Sequence, residues 1–369
     1  MVFGLNSIRE KRSAILIVGY YGYGNLGDEA ILQVLVAKLK DGLDAELIIL
    51  SANPKQTAIE LEITAVDRWS PIALFKAMYR CRGCIFGGGG LLQNKTSTYS
   101  LLYYLVIILL GQFLRRPVLL LGQGLGPING SLARTLTGII LRYVAPIGCR
   151  DEESIALASQ LKVAGRWEGD LLFLRDQQVI QPEIIDSKDI VLAVAEPPSG
   201  VRSQFIELLV SIAAEFCRDH GGEVILLPFF PTQDRRLASD IAARLTSPYR
   251  LIVTTDPAEA FSVIASAGVV ISSRLHPLEF AALCAVPVIA IAGDPKIANF
   301  ISELRRHGGP MIPLYKIEDL PVLKEITSAL NDTLLPSFRR DLKESCRRIS
   351  VKSQQAFIPN LTRLQRLVH

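Results

Sequence analysis

The residues best equipped for chemistry stand where apolar segments end. In Ser272-Ser-Arg-Leu-His-Pro-Leu-Glu-Phe280 a strand pattern (Gly268 to Ile271) gives way to Ser272, Ser273, Arg274 and His276, with a helix expected from about Pro277. Arg274 offers a planar fork for a carboxylate or phosphate. His276, one of four histidines, suits proton transfer near neutrality, although a lone histidine is more often structural. After the next apolar run comes Gly293-Asp-Pro-Lys296, which places a lysine on the neighbouring loop. Arg150, in Cys149-Arg-Asp-Glu152, likewise follows a strand and precedes a helix; an ordinary surface ion pair with Asp151 or Glu152 is its alternative. Cations gathered at strand ends and helix starts suit a small, highly charged anion.

A second set of residues lies near the amino terminus. Ala14 to Val18 reads as a strand, Gly19, Gly22, Gly24 and Gly27 form a turn, and Ile31, Leu35 and Leu39 mark one face of the following helix. Gly22-x-Gly24-x-x-Gly27 has dinucleotide-loop spacing, but the second strand, Ala45 to Ala52, carries no acid at its carboxyl end to hold a ribose. Asp28 and Glu29 would also compete with a pyrophosphate, so a nicotinamide or flavin enzyme is disfavoured. The turn instead offers Asn25, Gly27, Asp28 and Glu29 to an anion or sugar. Gly87 to Gly90, with Gly88 and Gly89 at its centre, follows another strand and permits close approach of a ligand or of another backbone. Asp28, Glu29 and Glu279 are the candidate acid–base carboxylates, with no ranking among them.

These loops need a frame. Strands are expected near 14–19, 45–51, 62–66, 83–87, 117–122 and 147–150, then near 189–195, 223–228, 250–254, 268–272 and 287–292. Helices are expected near 28–40, 71–80, 97–114, 131–144 and 152–161, and between the later strands. Unalternating Val, Ile and Leu runs imply parallel sheets covered on both faces, hence an α/β fold of two doubly wound Rossmann-like domains facing a cleft. The polar stretch Asp176 to Lys188 is the expected linker. The expected domains are 1–176, with the Gly-rich loops, and 188–335, with the cationic site, followed by a helical segment, 336–369, packing back across the junction.

Composition excludes several classes. A net charge of +4, spread along 369 residues, argues against nucleic acid as a partner. From Pro336 onward there are eight Lys or Arg against Asp341 and Glu344, which is either a solvated helix face or a surface for acidic lipid. Cys81-x-x-Cys84 lacks a second ligand pair, no other cluster has metal-ligand spacing, and no metal is expected. No secretory signal is visible, and the cysteine usage suggests a reducing, cytoplasmic setting. The uncharged run Thr96 to Leu114 is interrupted by Gly111-Gln112 and closed by Arg115 and Arg116. It is expected as a helix buried between the sheet and a partner surface, with contact on one leaflet of a membrane as the alternative.

Taken together, Tyr20-Tyr-Gly-Tyr-Gly-Asn-Leu-Gly-Asp-Glu29, Gly87–Gly90, Cys149-Arg-Asp-Glu-Glu-Ser154, Ser273-Arg-Leu-His276 and Asp294-Pro-Lys296 resemble the polysaccharide pyruvyl transferases, over about Ser13 to Leu304. Within that family the chain looks like the CsaB-like branch, which serves cell-wall biogenesis and the anchoring of surface-layer proteins. The resemblance implies a GT-B-like fold and transfer of the pyruvyl group of phosphoenolpyruvate, a co-substrate, to two hydroxyls of one sugar as a cyclic ketal, with release of phosphate and no cofactor. It implies that Arg150, Arg274, His276 and Lys296 hold the donor, that Asn25 to Glu29 face donor and acceptor, and that the acceptor is an N-acetylmannosamine on a lipid-linked precursor. A peripheral position at the inner face of the plasma membrane would follow. One departure is Glu196-Pro-Pro198, where the family pattern leads one to expect an arginine; it bears on the acceptor. The alternatives are a GT-B nucleotide-sugar glycosyltransferase, in which Glu279 would hold a ribose, and a non-catalytic membrane-associated scaffold of polymer assembly.

Overall fold

A computed structural model describes residues 13–95, 97–175 and 187–368. The expected linker falls almost wholly outside them. The first sheet comprises β1 (Ala14–Val18), β2 (Glu46–Ser51), β3 (Thr64–Asp67), β4 (Gly83–Gly89), β5 (Val118–Gln123), β6 (Ile147–Cys149) and β7 (Gly165–Trp167), in the order β3-β2-β1-β4-β5-β6-β7. The second comprises β8 (Ile190–Ala193), β9 (Val224–Leu226), β10 (Tyr249–Leu251), β11 (Val269–Ser272), β12 (Val288–Ala292) and β13 (Leu314–Lys316), in the order β10-β9-β8-β11-β12-β13. All pairings between these strands are parallel. β1 shows why its sequence has no alternation: Ile15 and Ile17 enter the core on one face, Leu16 and Val18 that on the other.

The helices are α1 (Leu26–Gly42), α2 (Pro54–Leu61), α3 (Pro71–Arg80), α4 (Thr98–Phe113), α5 (Ser131–Leu141), α6 (Glu152–Gln160), α7 (Arg202–His220), α8 (Pro231–Ala242), α9 (Pro257–Ala265), α10 (Leu275–Leu283), α11 (Pro295–Arg306), α12 (Leu323–Thr333) and α13 (Pro336–Val368). Strand order reverses beside β1 in the first sheet and beside β8 in the second. The loops leaving the carboxyl ends there are the places where such sheets take ligands.

Two helices join the halves. α1 is buried on nearly every side, at Leu26, Ala30, Ile31, Leu32, Val34, Leu35 and Leu39, and the Leu26 N–H donates to Phe229 O at 3.2 Å. One apolar cluster therefore runs from Ile17 of β1 through α1 to Val191 of β8 and Phe280 of α10. α13 returns along the same junction, burying Phe338, Leu342, Ile349, Phe357 and Leu364; Ser13 Oγ donates to Val368 O at 2.8 Å, and Gln365 Nε2 to Gly42 O at 3.0 Å. α4 buries Leu101, Leu105 and Ile108 against the sheet, but its other side is open.

Candidate active site

A cleft of about 770 Å³ lies between the carboxyl edges of the two sheets. Asn25, Asp28, Arg150, Arg274, His276 and Lys296, all singled out from sequence, line it. Asn25 caps α1 by accepting from Gly27 N at 3.2 Å, which orients Asp28 in the first helical turn. His276 is in the first turn of α10, which begins at Leu275, two residues before the expected start. The proline still fits, because first-turn N–H groups have no intrahelical acceptor. Lys296 occupies the first turn of α11, behind the cap Asp294.

Glycines make room for these side chains. A methyl on Gly27 would lie 1.9 Å from His276 Nδ1, one on Gly90 2.7 Å from Lys296 Nζ, and one on Gly124 2.6 Å from an Arg150 guanidinium nitrogen. The Gly-rich loops are thus cradles for the protein's own imidazole and cations. Gly89 approaches Asp28 Oδ1, and Gly88, with φ +77°, packs against Ile31 and Leu171. Glu29 lies outside the cleft: its carboxylate turns back to accept from Gly22 N at 2.8 Å and Gly24 N at 3.3 Å. The anion in the first glycine turn is therefore internal. Glu279, 1% exposed, does not line the cleft either; it borders a small adjoining pocket of about 20 Å³ with Arg150, Asp170 and Lys296.

The charge states differ from a simple count of cations. Burial, followed by the fields of Arg150, Lys296 and Arg274, lowers His276 to about 3, so the imidazole is neutral. Its Nε2 is buried without a hydrogen-bond partner. Asp28 is pushed up to about 7, first by burial and then by Glu29, with Lys296 opposing. Glu29 also rises to about 7 through burial, against the pull of the Gly22 and Gly24 N–H groups. Burial lowers Lys296 and raises Glu279. Arg274 Nε donates to Asp234 Oδ2 at 2.6 Å, and Arg150 lies 3.4 Å from Asp170 and 3.5 Å from Asp151. Lys296 makes no ion pair among the described residues.

The comparisons with known proteins bear on this geometry. The family model for polysaccharide pyruvyl transferase matches residues 25–295. The chain belongs to that family. No individually curated protein matches the transferase significantly. Its fold is similar to that of Anabaena Alr3699/HepE in complex with UDP and glucose (TM-score 0.61, 14% identity, covering 94% of this chain and 98% of that one). It is also similar to UDP-GlcNAc 2-epimerase from Neisseria meningitidis bound to UDP-GlcNAc (0.61, 12%, 95% and 100%) and to a glycosyltransferase from Rickettsia africae (0.57, 11%, 97% and 99%). The transferase therefore has the GT-B-like arrangement of two parallel sheets with alternating helices.

Sequence reasoning missed the acids that hold the transferase's cations. Asp170 follows β7 in Glu168-Gly-Asp170, and fully buried Asp234 opens α8 and also accepts from Phe230 N. An acid just before an apolar run, as in Asp170-Leu-Leu-Phe173, was a weak signal for the first; Asp234, in Gln233-Asp-Arg-Arg236, left none. Arg68 was missed too. It is buried among Tyr20, Tyr23, Tyr103 and Tyr104, donates to Gly19 O at 2.8 Å, and supports the aromatic wall of the cleft. Spacing gave no metal-ligand cluster, yet the fold brings donor atoms of Asp170, His276 and Glu279 within 4.8 Å of one another. Arg150 beside Asp170 and the protonation-prone Glu279 oppose a cation there. No described helix is long and apolar enough to cross a membrane.

Proposed function

We propose that the transferase binds phosphoenolpyruvate in this cleft and passes its pyruvyl group to a sugar as a cyclic ketal. The observation that carries the reading is the convergence of Arg150, Lys296, neutral His276 and a near-neutral Asp28 on one space. Arg150 and Lys296 supply positive charge to the donor's phosphate and carboxylate, and Arg274, oriented by Asp234, adds a third contact. Asp28 is poised to give a proton to the methylene carbon, which becomes a methyl group and leaves an oxocarbenium-like centre at C2. A sugar hydroxyl adds to C2, the C2–O bond to phosphate breaks, and a second hydroxyl closes the ketal. Of the two hydroxyl protons, one replaces the proton given by Asp28 and the other leaves with phosphate. His276, uncharged, accepts a proton more readily once the donor's phosphate offsets the surrounding cations.

Tyr20, Pro197, Pro198, Phe229 and Phe230 form an apolar wall suited to a sugar face. The acceptor proposed is an N-acetylmannosamine on a lipid-linked cell-wall precursor, as in the CsaB-like branch, reached at the cytoplasmic face of the membrane. The test is phosphate release on mixing the protein with phosphoenolpyruvate and an aryl N-acetylmannosaminide, with the ketal product identified by mass. Lys296→Ala should lower acceptor-dependent release by roughly 100-fold or more with the fold intact. The UDP complexes of proteins with this fold favour a second reading, a nucleotide-sugar glycosyltransferase. Transfer from a UDP-sugar, with no response to phosphoenolpyruvate, would establish it instead. Burial of Glu279 away from the cleft counts against that reading's ribose ligand.

A further inference from the structure

α3, α4 and α5 close one face of the first sheet, and their inner sides share a single core with β1, β4 and β5. Their outer sides are apolar as well. Leu102, Val106, Leu109 and Phe113 recur at helical spacing along α4, flanked by Phe75 on α3 and Ile139 on α5, all exposed; Val106 is 57% and Phe113 80% accessible. Contiguous rows on three adjacent helices exceed the scattered apolar residues normal on a surface. The charged residues on the three helices themselves are all basic, and Glu46 of β2 pairs with one of them, Arg80 at the end of α3. Between Asp67 and Asp151 the sequence contains no Asp or Glu, whereas Lys76, Arg82, Arg115 and Arg142 are exposed. The three helices are crossovers of a parallel sheet and so run in the same direction. Arg82, Arg115 and Arg142, each just beyond a helix's carboxyl end, therefore share one edge of the face. The opposite edge meets the cleft, which Ser100 and Tyr104 of α4 help to line.

The geometry points to this face as a docking surface for an anionic phospholipid leaflet, with α4, about 24 Å long, lying in the interfacial layer. A second copy of the chain fits less well, because a two-fold contact would bring the same unneutralised cations together. A helix unable to cross the bilayer but apolar along its exposed side lies on the leaflet. The inference deepens the reading of a lipid-borne acceptor, whose sugar would reach the cleft from the leaflet beside it, but its test is separate.

The full-length protein is floated with vesicles of phosphatidylcholine alone and with vesicles in which part is replaced by phosphatidylglycerol. Binding is expected to the anionic vesicles and to weaken with added salt. The pair Val106→Ser with Phe113→Ser, and the pair Arg115→Glu with Arg142→Glu, should each bind them roughly tenfold or more weakly. Melting temperature and phosphate release with the soluble aryl acceptor should stay at wild-type values. Failure of the wild type to bind, unaltered binding by both pairs, or a dimer abolished by the same substitutions in place of vesicle binding would overturn the docking surface. Vesicle binding that responds to both pairs supports it even where no acceptor yields phosphate; that last result would overturn only the pyruvyl reading.

Discussion

Asp28 sits where stability and chemistry conflict. An unfolded chain releases this carboxyl proton at about pH 4, whereas burial and the neighbouring Glu29 hold it to about 7 in the fold. Between those values the native state keeps a proton that the unfolded state has lost, so the group's contribution to stability falls as pH rises through the window. Asp28→Asn removes the titration while keeping the shape. Its stability advantage over wild type should be larger at about pH 8 than at about pH 5 by about 1–3 kcal/mol, read from denaturant unfolding at both values. An advantage equal at the two pH values would mean that the carboxyl is already ionised in the fold. The same variant should lose phosphate release, as expected where a destabilised group serves catalysis.

At the level of elements, the cleft depends on glycines that admit cations. The Arg150 guanidinium lies over Gly124 of the loop after β5, and a methyl there would displace it. Because the clash falls on the far end of a long side chain, the backbone need not move. Gly124→Ala is therefore expected to raise the KM for phosphoenolpyruvate roughly tenfold while lowering Tm by only a few degrees. Tm loss with an unchanged KM would make the loop's role purely one of packing. The sequence exposed this architecture unevenly. Central strands such as β1, β4, β5 and β12 are buried on both faces and read as unbroken apolar runs. The edge strands β7 and β13, three residues each and partly exposed, leave no such run. The cleft's cations stood out because each follows an apolar strand. Their counter-ions did not, since Asp170 and Asp234 meet Arg150 and Arg274 only through tertiary contacts. The glycine loop's occupant was equally hidden, because spacing alone does not tell whether Glu29 faces a ligand or folds back on its own turn.

For the whole molecule, the position of the cleft follows from how the two sheets are tied. α1 fills the junction, and α13 crosses it to reach Glu168 at the end of β7. That carboxylate, 3% exposed, accepts from Asn360 Nδ2 at 2.8 Å, Arg166 Nε at 2.9 Å and Gly122 N at 3.1 Å. Beside it, Trp167 donates to Glu303 of α11 at 2.8 Å and lies under Lys352 of α13. With Trp69, the other tryptophan, replaced by phenylalanine, Trp167 fluorescence reports the junction, whereas far-UV circular dichroism reports the helices and strands of both halves. A single apolar cluster through α1 implies that the two signals unfold together. Asn360→Leu keeps similar bulk but leaves a buried carboxylate short of a donor, and should cost about 1–3 kcal/mol. Both transitions are expected to shift by the same amount, because the strap belongs to the same cooperative unit as the sheets. A shift confined to Trp167, with the dichroism transition unmoved, would mean that α13 peels away independently and that α1 alone sets the cleft.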